Sequence, residues 1–152
     1  LAVHADNTDI SEPADAAGKT IGVGIATTYE QYLKKELVID AVGAPPFEFR
    51  IDGADIRTYD TDLLAVDDLR LGDGVRLDAV VTALPTAAGA IAEGFPLKIV
   101  GDPLFLEPLS VATDKGDPEW DARLAEIIAE MHADGTLAEL SQKWYGADLT
   151  GG

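Results

Sequence analysis

The 152-residue chain has no cysteine, which excludes disulfides, thiolate nucleophiles and sulfur-bound metals. Histidine is nearly as scarce: His4 and His132 are the only two, and neither has a neighbour at metal-ligand spacing, so a zinc site is not expected. Basic residues are few, 11 against 28 acidic ones, and the net charge of −17 repels phosphate backbones and anionic lipid. Nucleic acid is therefore not an expected partner. No apolar run approaches the roughly 20 residues that a membrane-spanning helix needs. No charged-then-apolar leader stands at the N-terminus, a segment that a mature or trimmed chain would have lost. There is no G-x-S-x-G and no serine near a histidine in sequence, so a hydrolase has no support. Gly22-Val23-Gly24 lacks the further glycine of a dinucleotide fingerprint. Asp60 with Asp62 and Asp67 with Asp68 do not follow the ligand rhythm of a calcium loop, and helix caps and solvated faces account for them. No metal, no cofactor and no catalytic residue is expected.

What is present is an ordinary 47% of hydrophobic residues, enough for a packed core, arranged as alternating strand and helix patterns. Residues 1–5 read as a strand. Thr20 to Ile25 is a nearly continuous apolar and glycine run, as in a buried parallel strand. A helix follows from about Thr28 to about Ile39. Phe47, Phe49 and Ile51 alternate with polar residues up to Asp52-Gly53, a hairpin signal whose second arm leads into Ile56 to Tyr59, a strand of the main sheet. Asp60 or Thr61 caps a helix that Gly72-Asp73-Gly74 ends. Leu77 to Val81 and Leu97 to Val100 read as strands on either side of a helix opened by Pro85, and Leu109 to Thr113 as one more strand. Asp117-Pro118-Glu119 starts a helix ended by Gly135; Thr136 and Glu139 form a capping box for the next, ended by Gly146. The expected class is α/β with a largely parallel sheet.

In open α/β sheets, ligands bind beyond the carboxyl ends of the strands, where helices begin. Two such places stand out. In IGVGIATTYEQYL, residues 21–33, two threonines stand where a strand gives way to a helix. Thr27 has Glu30 three residues on and Thr28 has Gln31, so either can cap, and only one can do so. Local chemistry alone favours a plain cap. The second place is Thr82-Ala83-Leu84-Pro85, after the strand that ends at Val81.

The order of motifs resembles a known family. GKTIGVGIATTYEQYL, LRLGDGVRLDAVVTALPTA, LKIVGDPLF and LSVATDKGDPEWDARLAEIIAEMHADGTLAELSQKWYG are similar, in collinear order over nearly the whole chain, to the polar-amino-acid solute-binding proteins of ABC importers. These are the bacterial extracellular solute-binding proteins of family 3, with the type II periplasmic-binding-protein fold. The resemblance implies two α/β lobes that clamp a ligand. Residues 1–5 then correspond to the first crossing strand and about 6–106 to a complete second lobe. That lobe is a mostly parallel five-stranded sheet flanked by helices. Residues 107–113 correspond to the return strand and 114–152 to C-terminal helices that pack on the first lobe. Most of the first lobe has no counterpart here. Trp120, Leu124, Ile128, Leu140 and Trp144 would thus lack their packing partner and favour self-association.

By the same resemblance, Gly24, Thr27, Thr28, Tyr29, Thr82 and Ala83 are the expected ligand contacts, and the ligand is a small polar solute passed to an importer permease. The expected location is periplasmic or extracellular, with a membrane-anchored full-length form as one option. Two departures matter. Ala26 replaces a usual glycine, which implies a turn without positive φ. Ala83 stands where many members have an aspartate for the ligand's α-ammonium. Burying an ammonium without a partner costs on the order of several kcal/mol, so either another acid substitutes or the ligand is not a standard α-amino acid. Glu107 is one conceivable substitute, and the 47–59 hairpin reads as decoration of the second lobe. The same fold also serves dehydratases and sensor domains. An enzyme would need a carboxylate aimed into the cleft, and none is evident in sequence near Thr27 or Thr82.

Overall fold

The computed structural model describes residues 1–41, 44–146 and 148–150. The chain divides into two compact units, Leu1–Leu106 and Glu107–Gly152. The first contains β1 (Ala2–His4), a 3-10 turn (Pro13–Ala16), β2 (Thr20–Gly24), α1 (Thr28–Leu33), β3 (Asp55–Tyr59), α2 (Asp62–Leu69), β4 (Ala79–Val80), α3 (Leu84–Ala92) and β5 (Leu97–Ile99). The second contains α4 (Pro118–Ala133) and α5 (Thr136–Tyr145).

The five strands form one sheet in the order β3-β2-β4-β1-β5. β2 is parallel to β3 and β4, pairing Ile21 with Ile56 on one side and with Ala79 on the other. β1 runs antiparallel to both β4 and β5, so it alone opposes the common direction. Alternation of side chains sends Val3, Ile21, Val23 and Ala79 to one face, with Tyr32 and Leu33 of α1. Ala2, Val80, Leu77 and Leu97 go to the other, with Ala65, Val66 and Leu69 of α2 and Ala87 and Ala90 of α3. Gly22 permits this second layer to sit close, since a Cβ there would lie 2.6 Å from Leu77 Cδ1 and 3.1 Å from Ala65 Cβ.

Four expectations change. The 47–59 segment is not a hairpin; Ile56 to Tyr59 joins the main sheet as expected, within β3, parallel to β2, but no first arm pairs with it. The aromatics that suggested the first arm gather around Tyr32 instead, with Phe49 at 5.3 Å and Phe47 at 6.2 Å between ring centroids. The Tyr32 hydroxyl donates to Glu48 O (2.9 Å) and accepts from Arg50 N (2.8 Å), doing for this backbone what a paired strand would. Helix α1 stops at Leu33 rather than near Ile39 because Lys35 takes a left-handed φ of 61° and Glu36 N turns back to Gln31 O at 2.8 Å. Residues 107–113 form no strand: they lie exposed, in a unit that offers helices and no sheet edge to pair with. Finally, Gly135 with φ 83°, not Thr136, occupies the cap position of α5, and Asp134 Oδ1 accepts from Thr136 N at 2.9 Å.

In the second unit, Asp117 caps α4 through Trp120 N at 3.0 Å, with Pro118 and Glu119 in the first turn as the sequence indicates. No helix among the described residues is long and apolar enough to cross a membrane.

Candidate functional site

The carboxyl ends of β2 and β4 lie side by side, which brings the two expected places together. At the end of β2, Ile25 N pairs with Tyr59 O of β3 at 2.8 Å, and the chain then turns at Ala26 with φ 59°. The expectation of a turn without positive φ is thus wrong. Glu30 holds the strained residue in place, its Oε2 accepting from Ala26 N at 2.7 Å.

Thr27 is the cap. Its hydroxyl accepts from Glu30 N at 3.3 Å and donates to Gly24 O at 2.7 Å. Thr28 opens α1. Tyr29 turns toward the aromatic layer, 6.0 Å from the Phe105 ring, so its ring belongs to the core margin. Glu30 is buried and ion-paired to Lys34 at 2.6 Å. The hydrogen bond from Lys34, with that from Ala26 N, holds its carboxyl below the usual carboxylate range.

Across from Thr27, the sequence reading missed a residue. Asp62 is the first residue of α2, half-buried, and its carboxylate spans the gap between the two strand ends. Its Oδ1 accepts from Gly24 N at 2.8 Å and its Oδ2 accepts from Thr82 Oγ1 at 2.8 Å. Gly24 must lack a side chain for this, because a Cβ would stand 2.4 Å from Asp62 Oδ1. A hydrogen-bonded chain therefore runs from the Thr27 hydroxyl through Gly24 to Asp62 and on to Thr82. A carboxylate does face Thr82, contrary to the expectation from sequence. The available signal was an acid in the first turn of a helix that follows a parallel strand, a place where helix capping already accounts for an acid. Ala83 is the cap residue of α3 and supplies no side-chain hydrogen bond to that helix. Glu107 is exposed and falls in the second unit.

A shallow groove of about 420 Å³ lies elsewhere, lined by Pro45, Phe47, Glu48, Pro103, Phe105 and their neighbours. None of the expected contacts lines it. Arg50, at its edge, is committed to Pro103 O at 2.6 Å and Asp102 O at 3.3 Å, so the groove reads as the seam between two loops. No group of metal ligands exists among the described residues.

The sequence profile of bacterial extracellular solute-binding proteins, family 3, matches residues 2–147. The chain belongs to this family. It is 34% identical over 137 residues to the L-cystine-binding protein TcyJ of Escherichia coli (strain K12), covering 90% of this chain and 45% of that protein. In structure it is similar to an ancestral arginine-binding protein bound to arginine (28% identity, TM-score 0.67, 95% of this chain and 58% of that one). It is also similar to the ancestral amino acid-binding protein AncCDT-1, a precursor of cyclohexadienyl dehydratase (29% identity, TM-score 0.65, 95% and 56%). The α/β sheet with flanking helices is that of the periplasmic-binding-protein-like fold. The chain spans about half the length of these relatives.

Proposed function

We propose that the whole protein is the substrate-binding component of an ABC importer, taking a small polar solute, an amino acid or related compound, into a cleft between two lobes. The observation that carries this reading is the convergence of Gly24, Thr27 and Thr82 on one carboxyl-edge rim, tied together by Asp62. Residues 6–106 serve as one lobe, 1–5 and 107–113 as its connections, and 114–152 as helices that pack on the other lobe. The half of the relatives' length that this chain does not span supplies the opposite wall. Gly24, Thr27, Thr28, Tyr29, Thr82 and Ala83 line the near wall, and the protein acts outside the cytoplasm beside a membrane permease.

Calorimetric titration of the full-length protein with L-arginine, L-glutamine and L-cystine tests this. Saturable binding of at least one is expected, with weak or no binding by the 152-residue chain alone. No heat with any of them would overturn the reading. For the chain alone, exposed Trp120, Leu140 and Trp144 favour self-association, which sedimentation at increasing concentration checks.

The likeness to AncCDT-1, together with a carboxylate beside Thr82, favours a dehydratase as the second reading. It requires an acid as well as a base, and Glu30, the other carboxylate at this rim, is neutralised by Lys34. No loss of water from a cyclohexadienyl substrate is expected; turnover would reverse the order of the two readings.

A further inference from the structure

We propose that residues 45–51 form a strap that binds the segment 102–106 to helix α1, so that the rim helix and the last residues of the first unit move as one rigid piece. The inference concerns motion within that unit and stands whether or not the rim takes a solute.

Residues 45–51 contain no strand or helix, yet three sets of contacts fix them. First, the Tyr32 hydroxyl of α1 donates to Glu48 O at 2.9 Å and accepts from Arg50 N at 2.8 Å. Second, the Arg50 guanidinium donates to Pro103 O at 2.6 Å and to Asp102 O at 3.3 Å. One side chain thus ties the strap to 102–106 through two backbone carbonyls, which need partners in any case. Third, the strap ends in the core at Ile51, and just beyond it Asp52 pairs with Lys35 and accepts from Gly18 N at 3.0 Å. The rings then join strap, helix and segment. Phe105 stands 5.3 Å from Tyr32, 6.0 Å from Tyr29 and 5.8 Å from Phe47, between ring centroids. Tyr29 and Tyr32 are three residues apart and share one face of α1. Phe105 therefore packs on the helix and on the strap at once, and Leu104 beside it is buried in the same cluster. Side chains packed in this way shift together rather than deform one by one. Leu106 is the last residue of the first unit, and Thr27 and Thr28 begin α1 at the rim. The strap links these two places, and flexing of the outgoing chain is confined to residues after Leu106.

Amide hydrogen exchange of the full-length protein, without added solute and read by mass spectrometry of its peptides, tests this. Wild type is compared with Arg50→Met and Tyr32→Phe, and thermal melts confirm folding. Arg50→Met removes the guanidinium and keeps the backbone N–H that binds Tyr32. Tyr32→Phe removes the hydroxyl and keeps the ring beside Phe105. In each variant, exchange should rise about fivefold or more, by a similar factor, in peptides covering 27–34 and 102–106, while the β2 and β4 peptides stay within about twofold of wild type, as when one cooperative piece opens. A rise confined to 102–106 in Arg50→Met, or to α1 in Tyr32→Phe, would show a local seam and overturn the inference. An equal rise across the sheet, or none, would overturn it as well. Should one variant melt below the assay temperature, the other decides alone. Since no solute is added, failure of the solute-binding reading would leave this result standing.

Discussion

In the unit Leu1–Leu106, Val3, Ile21, Val23 and Val80 are fully buried on the two faces of one sheet, whereas α4, the longest helix of the other unit, has no buried residue at all. Helix α5 buries only Ser141, while Trp144 on the same helix is 70% exposed. Both units have well-formed caps and breakers, so the contrast is not one of secondary-structure quality. It shows that local signals suffice to draw helices, and that a core requires elements brought together from distant sequence. The candidate site lies where such elements meet: Gly24, Asp62 and Thr82 are joined only because β2 and β4 are neighbours.

The strongest way to break the contrast is to open the first core. Ile21→Ala should destabilise the sheet unit by about 3 kcal/mol, as large-to-small changes at filled sites do, measured by urea unfolding. A cost near zero would mean that the sheet unit is as loosely packed as the helical one. Next in size is Gly24→Ala, whose Cβ would displace the Asp62 carboxylate. About 1–3 kcal/mol should be lost, from overpacking and from the broken bridge to Thr82, again read by urea unfolding.

Legibility in the sequence differs from residue to residue. That a threonine caps α1 is legible because T-x-x-E and T-x-x-Q are local patterns, but the choice of Thr27 over Thr28 appears only in the structure. Asp62, which binds Gly24 N and the Thr82 hydroxyl, is not legible, since its role depends on β2 and β4 being neighbours, which no local pattern encodes. Strands β1, β2, β4 and β5 are legible from their apolar runs, and β3 only as the arm that follows Asp52-Gly53. The hairpin signal misleads because Phe47 and Phe49 alternate equally well whether they pair across strands or pack on Tyr32. Residues 109–113 have strand-like composition, but a strand also needs a neighbour. At Ala26 a side chain takes positive φ because Glu30, four residues on, binds its N–H. That compensation is invisible in the turn itself.

At the rim, a smaller effect distinguishes capping from packing. Thr27→Ala should cost about 1 kcal/mol, the usual worth of a lost cap, and thermal melts check it. Glu30 adds a pH signature. Its folded-state titration lies below the ordinary 4.5 because Lys34 and Ala26 N favour the charged form. The unfolded chain therefore binds the proton more readily, and the Glu30 contribution is present above pH 4.5 and lost as pH falls through the folded value. Glu30→Gln should flatten stability against pH in that window. An unaltered acid slope would show that the ion pair does not stabilise the turn.

The smallest expected effect lies in the second unit, and it sharpens the contrast most directly. Trp144 is 70% exposed, so Trp144→Ala in the dilute 152-residue chain removes little buried surface. Its unfolding free energy should change by no more than about 0.5 kcal/mol, the range of ordinary surface substitutions. In the full-length protein the outcome should differ. If α5 packs there on the other lobe, the same substitution becomes a large-to-small change at a covered site and should cost about 3 kcal/mol or more. A small effect in both forms would mean that this face has no intramolecular partner. A large, concentration-dependent effect in the short chain would instead identify a second copy as what covers it.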